Sequence, residues 1–270
     1  MTRIFTLLAL FFLAVTSSTA ARAGGTSLEA MMTGDDSKGW EAVGKLTMGG
    51  KGFCTGALIA ENLVLTAAHC LFDPDTGEAY PASEIEFLAG GRAGRAAAYR
   101  GARRAVAHPG YVEDGEDRSK DIALIELDQP IRNSRVTPFA TGKRERLSRK
   151  VGVVSYAHDR AEMPSIQHMC HVLGRAGGTL VLDCNVDFGS SGAPVFDLSG
   201  DVPTIVSVVS AKAMAGDVPV SLGTSLEQPL ADLKAILARS DGVLNRVRPT
   251  VRVMGREEAA SASGAKFVRP

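Results

Sequence analysis

The sequence predicts an all-β protein: two packed barrels followed by a C-terminal helix. Three observations carry that prediction. From Trp40 onward, short apolar runs are split at close intervals by turn residues, which suits a barrel or sandwich rather than alternating βαβ units. The runs fall into two sets of five or six, separated by a polar, basic stretch at residues 129–150 that contains Pro130 and Pro138. After the second set, Leu230, Leu233, Ile236 and Leu237 recur at helical spacing. That spacing marks an amphipathic helix over Leu226 to Arg239, expected to dock on the second half.

In the first half the strands expected are Ala42 to Met48, Phe53 to Ala60, Leu63 to Ala67, Ile85 to Leu88, Arg103 to Ala107 and Ile122 to Leu127. Turn residues punctuate them at Gly49-Gly50-Lys51-Gly52, Asp73-Pro74-Asp75-Thr76-Gly77 and His108-Pro109-Gly110. The second half reads as Val151 to Tyr156, Gln167 to Leu173, Thr179 to Cys184, Gly192 to Asp197 and Pro203 to Ser210. The barrels are therefore assigned to residues 40–135 and, with the helix, 136–240.

Both ends read differently. Arg3 precedes an apolar run from Ile4 to Val15, and Ala21-Arg22-Ala23 supplies a small-x-small cleavage site. Residues 1–23 thus have the form of a secretory signal peptide, too short in its apolar run for a comfortable membrane span. Its removal takes away Arg3 and Arg22 and no acid, moving the formal net charge from zero to −2. Residues 24–39 lack an apolar period and suggest a mobile leader or short propeptide. Residues 241–270, with Pro249 and Ser261-Ala262-Ser263-Gly264, suggest a disordered tail.

A hydrophobic content of 45% against 22% charged residues supports a sizeable core. The near-neutral charge gives no electrostatic case for nucleic acid, or for a membrane partner once the signal is cleaved. The basic cluster at Lys143, Arg144, Arg146, Arg149 and Lys150 reads as a solvated connection. A secreted or periplasmic destination permits disulfides. Cys54 and Cys70 flank one apparent hairpin, and Cys170 and Cys184 flank another; of three connectivities, these local pairs are the ones expected. A metal site at Cys170, His171 and Cys184 lacks a fourth ligand, so neither metal nor cofactor is expected. A monomer is the default expectation.

The chemistry-bearing residues lie in three segments: Leu65-Thr66-Ala67-Ala68-His69-Cys70, Lys120-Asp121-Ile122-Ala123-Leu124-Ile125 and Asp187-Phe188-Gly189-Ser190-Ser191-Gly192-Ala193-Pro194. A serine hydroxyl is a weak nucleophile until a base takes its proton and a third group orients that base. Ser191 can attack an acyl carbon, His69 can accept the proton, and Asp121 can hold the imidazole tautomer. The tetrahedral oxyanion then needs N–H donors, for which Gly189 and Ser191 are suitably placed. His108, His158, His168 and His171 have no matching context and are assigned structural or solvent roles.

These segments, in this order, resemble the three signature segments of trypsin-like (chymotrypsin-fold) serine proteases. The Gly-x-Ser-Gly-x-Pro form at Gly189 to Pro194 is more similar to the bacterial glutamyl-endopeptidase branch than to animal trypsins. His108-Pro109-Gly110-Tyr111 is also similar to a segment preceding the family's aspartate. The likeness covers roughly residues 40–240. It implies two six-stranded antiparallel barrels with the site in the cleft between them, and hydrolysis of protein or peptide substrates through an acyl-enzyme.

The departures matter too. Members activated by cleavage bury a new N-terminal amine against an aspartate just before the serine; Ser190 stands there, so activity should not need that ion pair. Counting back six from Ser191 puts the base of the P1 pocket at Asn185, not the aspartate that selects Lys or Arg. Ser210 matches a serine near the family's aspartate. Ala211 and Lys212 replace a Trp-Gly, and Val209 stands where glutamyl endopeptidases carry histidine. Lys212 reaching over the pocket would favour acidic or small P1 side chains. Two rival readings remain. The Gly-x-Ser-x-Gly elbow of α/β hydrolases lacks its last glycine here, and histidine precedes serine. A catalytically idle protease-fold binding protein would be expected to have lost one of the three residues.

Overall fold

Alternation with period two puts Ile85, Phe87 and Ala89 inside and Glu86 outside along one short strand, and this pattern builds both sheets. The computed structural model describes residues 25–115, 117–142, 150–239 and 244–245. The expected signal peptide, most of the basic cluster and all of the tail except Leu244–Asn245 lie outside the described residues.

In chain order the strands are β1 (Glu29–Ala30), β2 (Val43–Met48), β3 (Gly52–Ala60), β4 (Leu63–Thr66), β5 (Ile85–Ala89), β6 (Ala98–Ala107), β7 (Ala123–Leu127), β8 (Ala140–Thr141), β9 (Lys150–Ser155), β10 (Ser165–Ala176), β11 (Thr179–Leu182), β12 (Pro194–Asp197), β13 (Thr204–Ala215), β14 (Val218–Ser225) and β15 (Leu244–Asn245). Helix α1 (Pro109–Glu113) lies between β6 and β7, and α2 (Glu227–Arg239) follows β14. The first barrel closes around β2, β3, β4, β7, β6 and β5, each antiparallel to the next. The second closes around β9, β10, β11, β14, β13 and β12 in the same manner. Closure removes free sheet edges.

The barrels share a core. Val154, Ile166, Phe196, Ile205 and Val208 of the second join Leu46, Leu58 and Phe87 of the first in one apolar cluster. Phe196 meets Trp40 edge-on at 5.1 Å and Phe139 at 4.8 Å between ring centroids. This aromatic wedge holds the two halves in fixed register, and the functional residues lie on both sides of that seam.

Three expectations need correction. Helix α2 docks on β6 and β7 of the first barrel, not on the second half. Its Leu230, Leu233 and Leu237 are buried against the floor that Ala102, Ala105 and Val106 help to form; small residues there let a helix approach, whereas the sequence shows only which face is apolar. Residues 25–38 are mostly exposed but are tied to the second barrel at defined points, where a mobile leader is the expectation. Thr26 N–H donates to Met169 O at 2.8 Å, Gln167 Nε2 donates to Thr26 O at 3.0 Å, and Met31 is buried. A two-residue strand and a single buried methionine leave no periodic trace. Finally, β14 completes the second barrel where the pattern predicts no strand, because Pro219 and Gly223 break its alternation.

Candidate active site

His69 sits in the short 3-10 turn Ala68–Leu71 that follows β4. The disulfide from Cys70 to Cys54 on β3 fastens that turn, while Cys170–Cys184 ties the middle of β10 to the irregular segment after β11 that leads toward Ser191. Asp121 lies just before β7 and is fully buried. Its Oδ1 accepts the His69 backbone N–H at 2.9 Å, and its Oδ2 lies 2.8 Å from His69 Nδ1. The Ser210 hydroxyl donates to the same Oδ2. A carboxylate can only accept, so these contacts place the imidazole proton on Nδ1 and leave Nε2 as the free base. Burial pushes the Asp121 carboxyl up, but hydrogen bonds from His69 and Ser210, and the pull of the imidazolium whenever His69 is protonated, outweigh it and hold the group below the ordinary carboxylate range.

The second barrel braces this aspartate from behind. Thr224 Oγ1 on β14 lies 2.7 Å from Arg118 O and 3.1 Å from Asp121 O, its single hydrogen shared between the two carbonyls. Arg118 Nη1 also lies 3.7 Å from Asp121 Oδ2. Neither Arg118 nor Thr224 carries a sequence signal: one is a loop arginine, and the other lies on β14, whose pattern Pro219 and Gly223 break.

Ser191 occupies a tight turn between Gly189 (φ +92°) and Gly192 (φ +75°). Both values fall where a side chain is costly. A Cβ on Gly192 would also meet Thr66 Oγ1 at 2.1 Å and Thr55 O at 2.4 Å, so only glycine lets this turn lie against β3 and β4. Ser190 is fully buried, its hydroxyl 3.1 Å from Tyr156 O and accepting from Asp187 N–H at 3.3 Å. Among the described residues, the N–H groups of Gly189 and Ser191 donate to no protein acceptor.

His69, Gly189, Ser191, Ser210 and Lys212 line one cavity of about 580 Å³, joined by Phe53, Arg118, Asp187 and the highly exposed Phe188. No hydrogen bond joins Ser191 Oγ to His69 Nε2 among the described residues; in free enzymes such contacts are often long and tighten with substrate. Asn185 is not brought to this cavity. It lines a neighbouring one of about 630 Å³ with residues 25–28, and its N–H donates to Gln167 Oε1 at 2.8 Å. Lys212 borders both cavities and faces Asp187 across 3.7 Å.

The nearest grouping of metal-ligand atoms among the described residues is Cys54, His69 and Cys70. Both sulfurs are spent in a disulfide, which leaves one imidazole and no site. At the other sequence candidate, Cys170 and Cys184 are likewise bonded to each other and His171 Nδ1 lies 3.0 Å from Asp183 Oδ2.

A chymotrypsin-fold pair of closed barrels with His, Asp and Ser gathered at the seam defines a class, and sequence comparison assigns the chain to it. A sequence model of the trypsin family matches residues 33–221; the chain belongs to that family. It is 31% identical over 119 residues to coagulation factor IX of Cavia porcellus, covering 42% of this chain and 39% of that protein. The corresponding protein of Oryctolagus cuniculus is 32% identical over 115 residues, with 42% and 40% covered. The chain thus spans about two fifths of the length of these relatives. A solved Glu endopeptidase in complex with MPD superposes with a TM-score of 0.64 at 18% identity, covering 74% of this chain and 92% of the other. A thermostable serine protease, AL20, from an extremophilic microorganism gives 0.60 at 18% identity, covering 74% and 98%. At that identity the structural likeness speaks for the fold.

Proposed function

We propose that the protein is an exported serine endopeptidase that hydrolyses peptide bonds through His69, Asp121 and Ser191. The observation that carries this reading is the fixed His69–Asp121–Ser210 arrangement opening onto the cavity that also holds Ser191. With Nδ1 protonated toward Asp121, Nε2 takes the Ser191 proton as Oγ attacks the substrate carbonyl. The resulting oxyanion is met by the N–H groups of Gly189 and Ser191. His69 then returns the proton to the leaving amine, and water releases the acyl group by the same steps reversed. That division of labour is the family's own.

The buried, hydrogen-bonded Ser190 supports activity without an N-terminal ion pair, since neutral contacts to Tyr156 O and Asp187 N–H hold the loop. Asn185, Ser210 and Lys212 are proposed to contact substrate, with Lys212 released from Asp187 to meet an acidic P1 group. Two disulfides suit an oxidising compartment, and no described helix is long and apolar enough to cross a membrane. Treatment with a sulfonyl fluoride tests the mechanism: Ser191 should be modified, and His69→Ala should abolish modification. A folded protein that never labels favours the idle binding protein instead.

A further inference from the structure

The chain from Phe188 to Ser191 presents four backbone carbonyls, and each has a donor. Phe188 O accepts from His158 N–H at 2.7 Å, Ser190 O from Ala193 N–H at 3.0 Å and Ser191 O from Thr55 N–H at 2.8 Å. Gly189 O accepts from Thr55 Oγ1 at 2.9 Å. In a trans peptide the N–H points opposite to the preceding carbonyl. Anchoring Phe188 O and Ser190 O therefore aims the N–H groups of Gly189 and Ser191 to the opposite side of the chain, while Gly189 O belongs to the peptide between them, whose Ser190 N–H donates to Asp187 O at 2.9 Å. Of the four donors, the Thr55 hydroxyl is the one supplied by a side chain.

Thr55 lies on β3 of the first barrel and is fully buried. Its hydroxyl also accepts the Tyr156 N–H at 3.0 Å, and its carbonyl accepts from Thr66 Oγ1 at 2.9 Å. A hydroxyl has a single hydrogen to give. With the Tyr156 N–H pointing at its oxygen, that hydrogen is committed to Gly189 O. One side chain thus ties β3, the segment after β9 and the nucleophile loop together across the barrel seam.

We propose that Thr55 is a positioning residue for the oxyanion site, fixing the Gly189–Ser190 peptide that joins the two peptides bearing the Gly189 and Ser191 N–H groups, and so holding the aim of both. This rests on Ser191 being the nucleophile. Thr55→Val keeps the β-branched shape and removes the hydroxyl; Thr55→Ser gives it back. The readouts are kcat and KM on a peptide that the wild type cleaves, affinity for the matching peptide boronic acid, and affinity for the product peptide. The boronic acid bonds to Ser191 Oγ and presents an oxygen to the oxyanion site, whereas the product peptide, the amine-side fragment that begins at P1′, does not.

Thr55→Val should lower kcat about 10- to 100-fold, somewhat less than outright loss of an oxyanion donor, with KM within about twofold. Boronate affinity should fall in parallel and product affinity should hold, while Thr55→Ser recovers most of both losses. Should Thr55→Val not fold, Thr55→Ala measured against Thr55→Ser carries the same comparison. A folded hydroxyl-free variant with wild-type kcat overturns the proposal. So does a loss that falls equally on product affinity, or one that serine does not rescue. A wild type that cleaves no peptide overturns the protease reading itself, before any variant is made.

Discussion

Gly189→Ala probes the loop where fold and chemistry meet. Gly189 has φ +92°, and a Cβ there would stand 2.4 Å from Phe53 Cε2, 2.7 Å from Phe53 Cζ and 3.2 Å from Ala157 Cα. Holding an alanine in such a conformation costs on the order of 1–3 kcal/mol. Carbon atoms prefer about 3.5–4 Å, so the Phe53 ring must retreat by roughly 1 Å. That ring is half-buried and lies under Lys45 Nζ, 4.6 Å from its centroid. Overpacking of this kind costs about 1–3 kcal/mol more. The total, roughly 2–6 kcal/mol, should lower the melting temperature by on the order of 10 °C. Activity should suffer beyond the stability loss: a displaced Gly189 N–H should reduce kcat by about 10²- to 10³-fold at a temperature where the variant is folded. Thermal melts and steady-state kinetics report the two effects separately. Adding Phe53→Leu, which clears the ring atoms, should return part of the stability and little of the kcat. A folded Gly189→Ala with wild-type kcat would show that the Gly189 N–H contributes nothing to the reaction.

Other perturbations follow from the same geometry. Replacing Cys54 and Cys70 by serine opens a link across 16 residues and should cost about 3 kcal/mol; a melting temperature unchanged within error would contradict this. Asp121 is held below the ordinary carboxylate range, so the folded state binds its proton less readily than the unfolded chain. Its contribution is complete above about pH 4 and is lost as pH falls through the depressed folded value. Melts across that window should show a steeper slope for the wild type than for Asp121→Asn, which keeps the contributions of Asp36, Asp73 and Asp232, and equal slopes would dismiss the assignment. Lys212→Ala should reduce the preference for Glu over Gln at P1 in a peptide library, whereas matching profiles would leave Lys212 as a surface partner of Asp187.

The strand pattern was legible because most strands bury one face and turn on glycine or proline; the first barrel's six were all anticipated to within a few residues, apart from the early start of β6 at Ala98. Both hairpins flanked by cysteines likewise announced their disulfides. What the sequence hides is partnership at a distance. Helix α2 advertises an apolar face, but only the small residues on β6 show where it docks. Thr224 bonds the Asp121 loop from a strand whose proline disguised it. Thr55 follows a cysteine in an ordinary strand, and nothing local marks a hydroxyl that reaches Gly189, 134 positions away. Asn185 is a different case: counting positions from Ser191 gives its place in the chain but not its cavity, and it lines the neighbouring one that Lys212 also borders.

The acyl-enzyme itself is the most direct test of the mechanism. An activated ester mixed with the protein and quenched in acid within milliseconds should give a burst of leaving group stoichiometric with protein. Mass spectrometry of the quenched sample should find the acyl group on Ser191, and Ser191→Ala should abolish both signals. Turnover without a burst in Ser191→Ala at the wild-type rate, or an acyl group on another residue, would contradict the assignment of Ser191 as nucleophile.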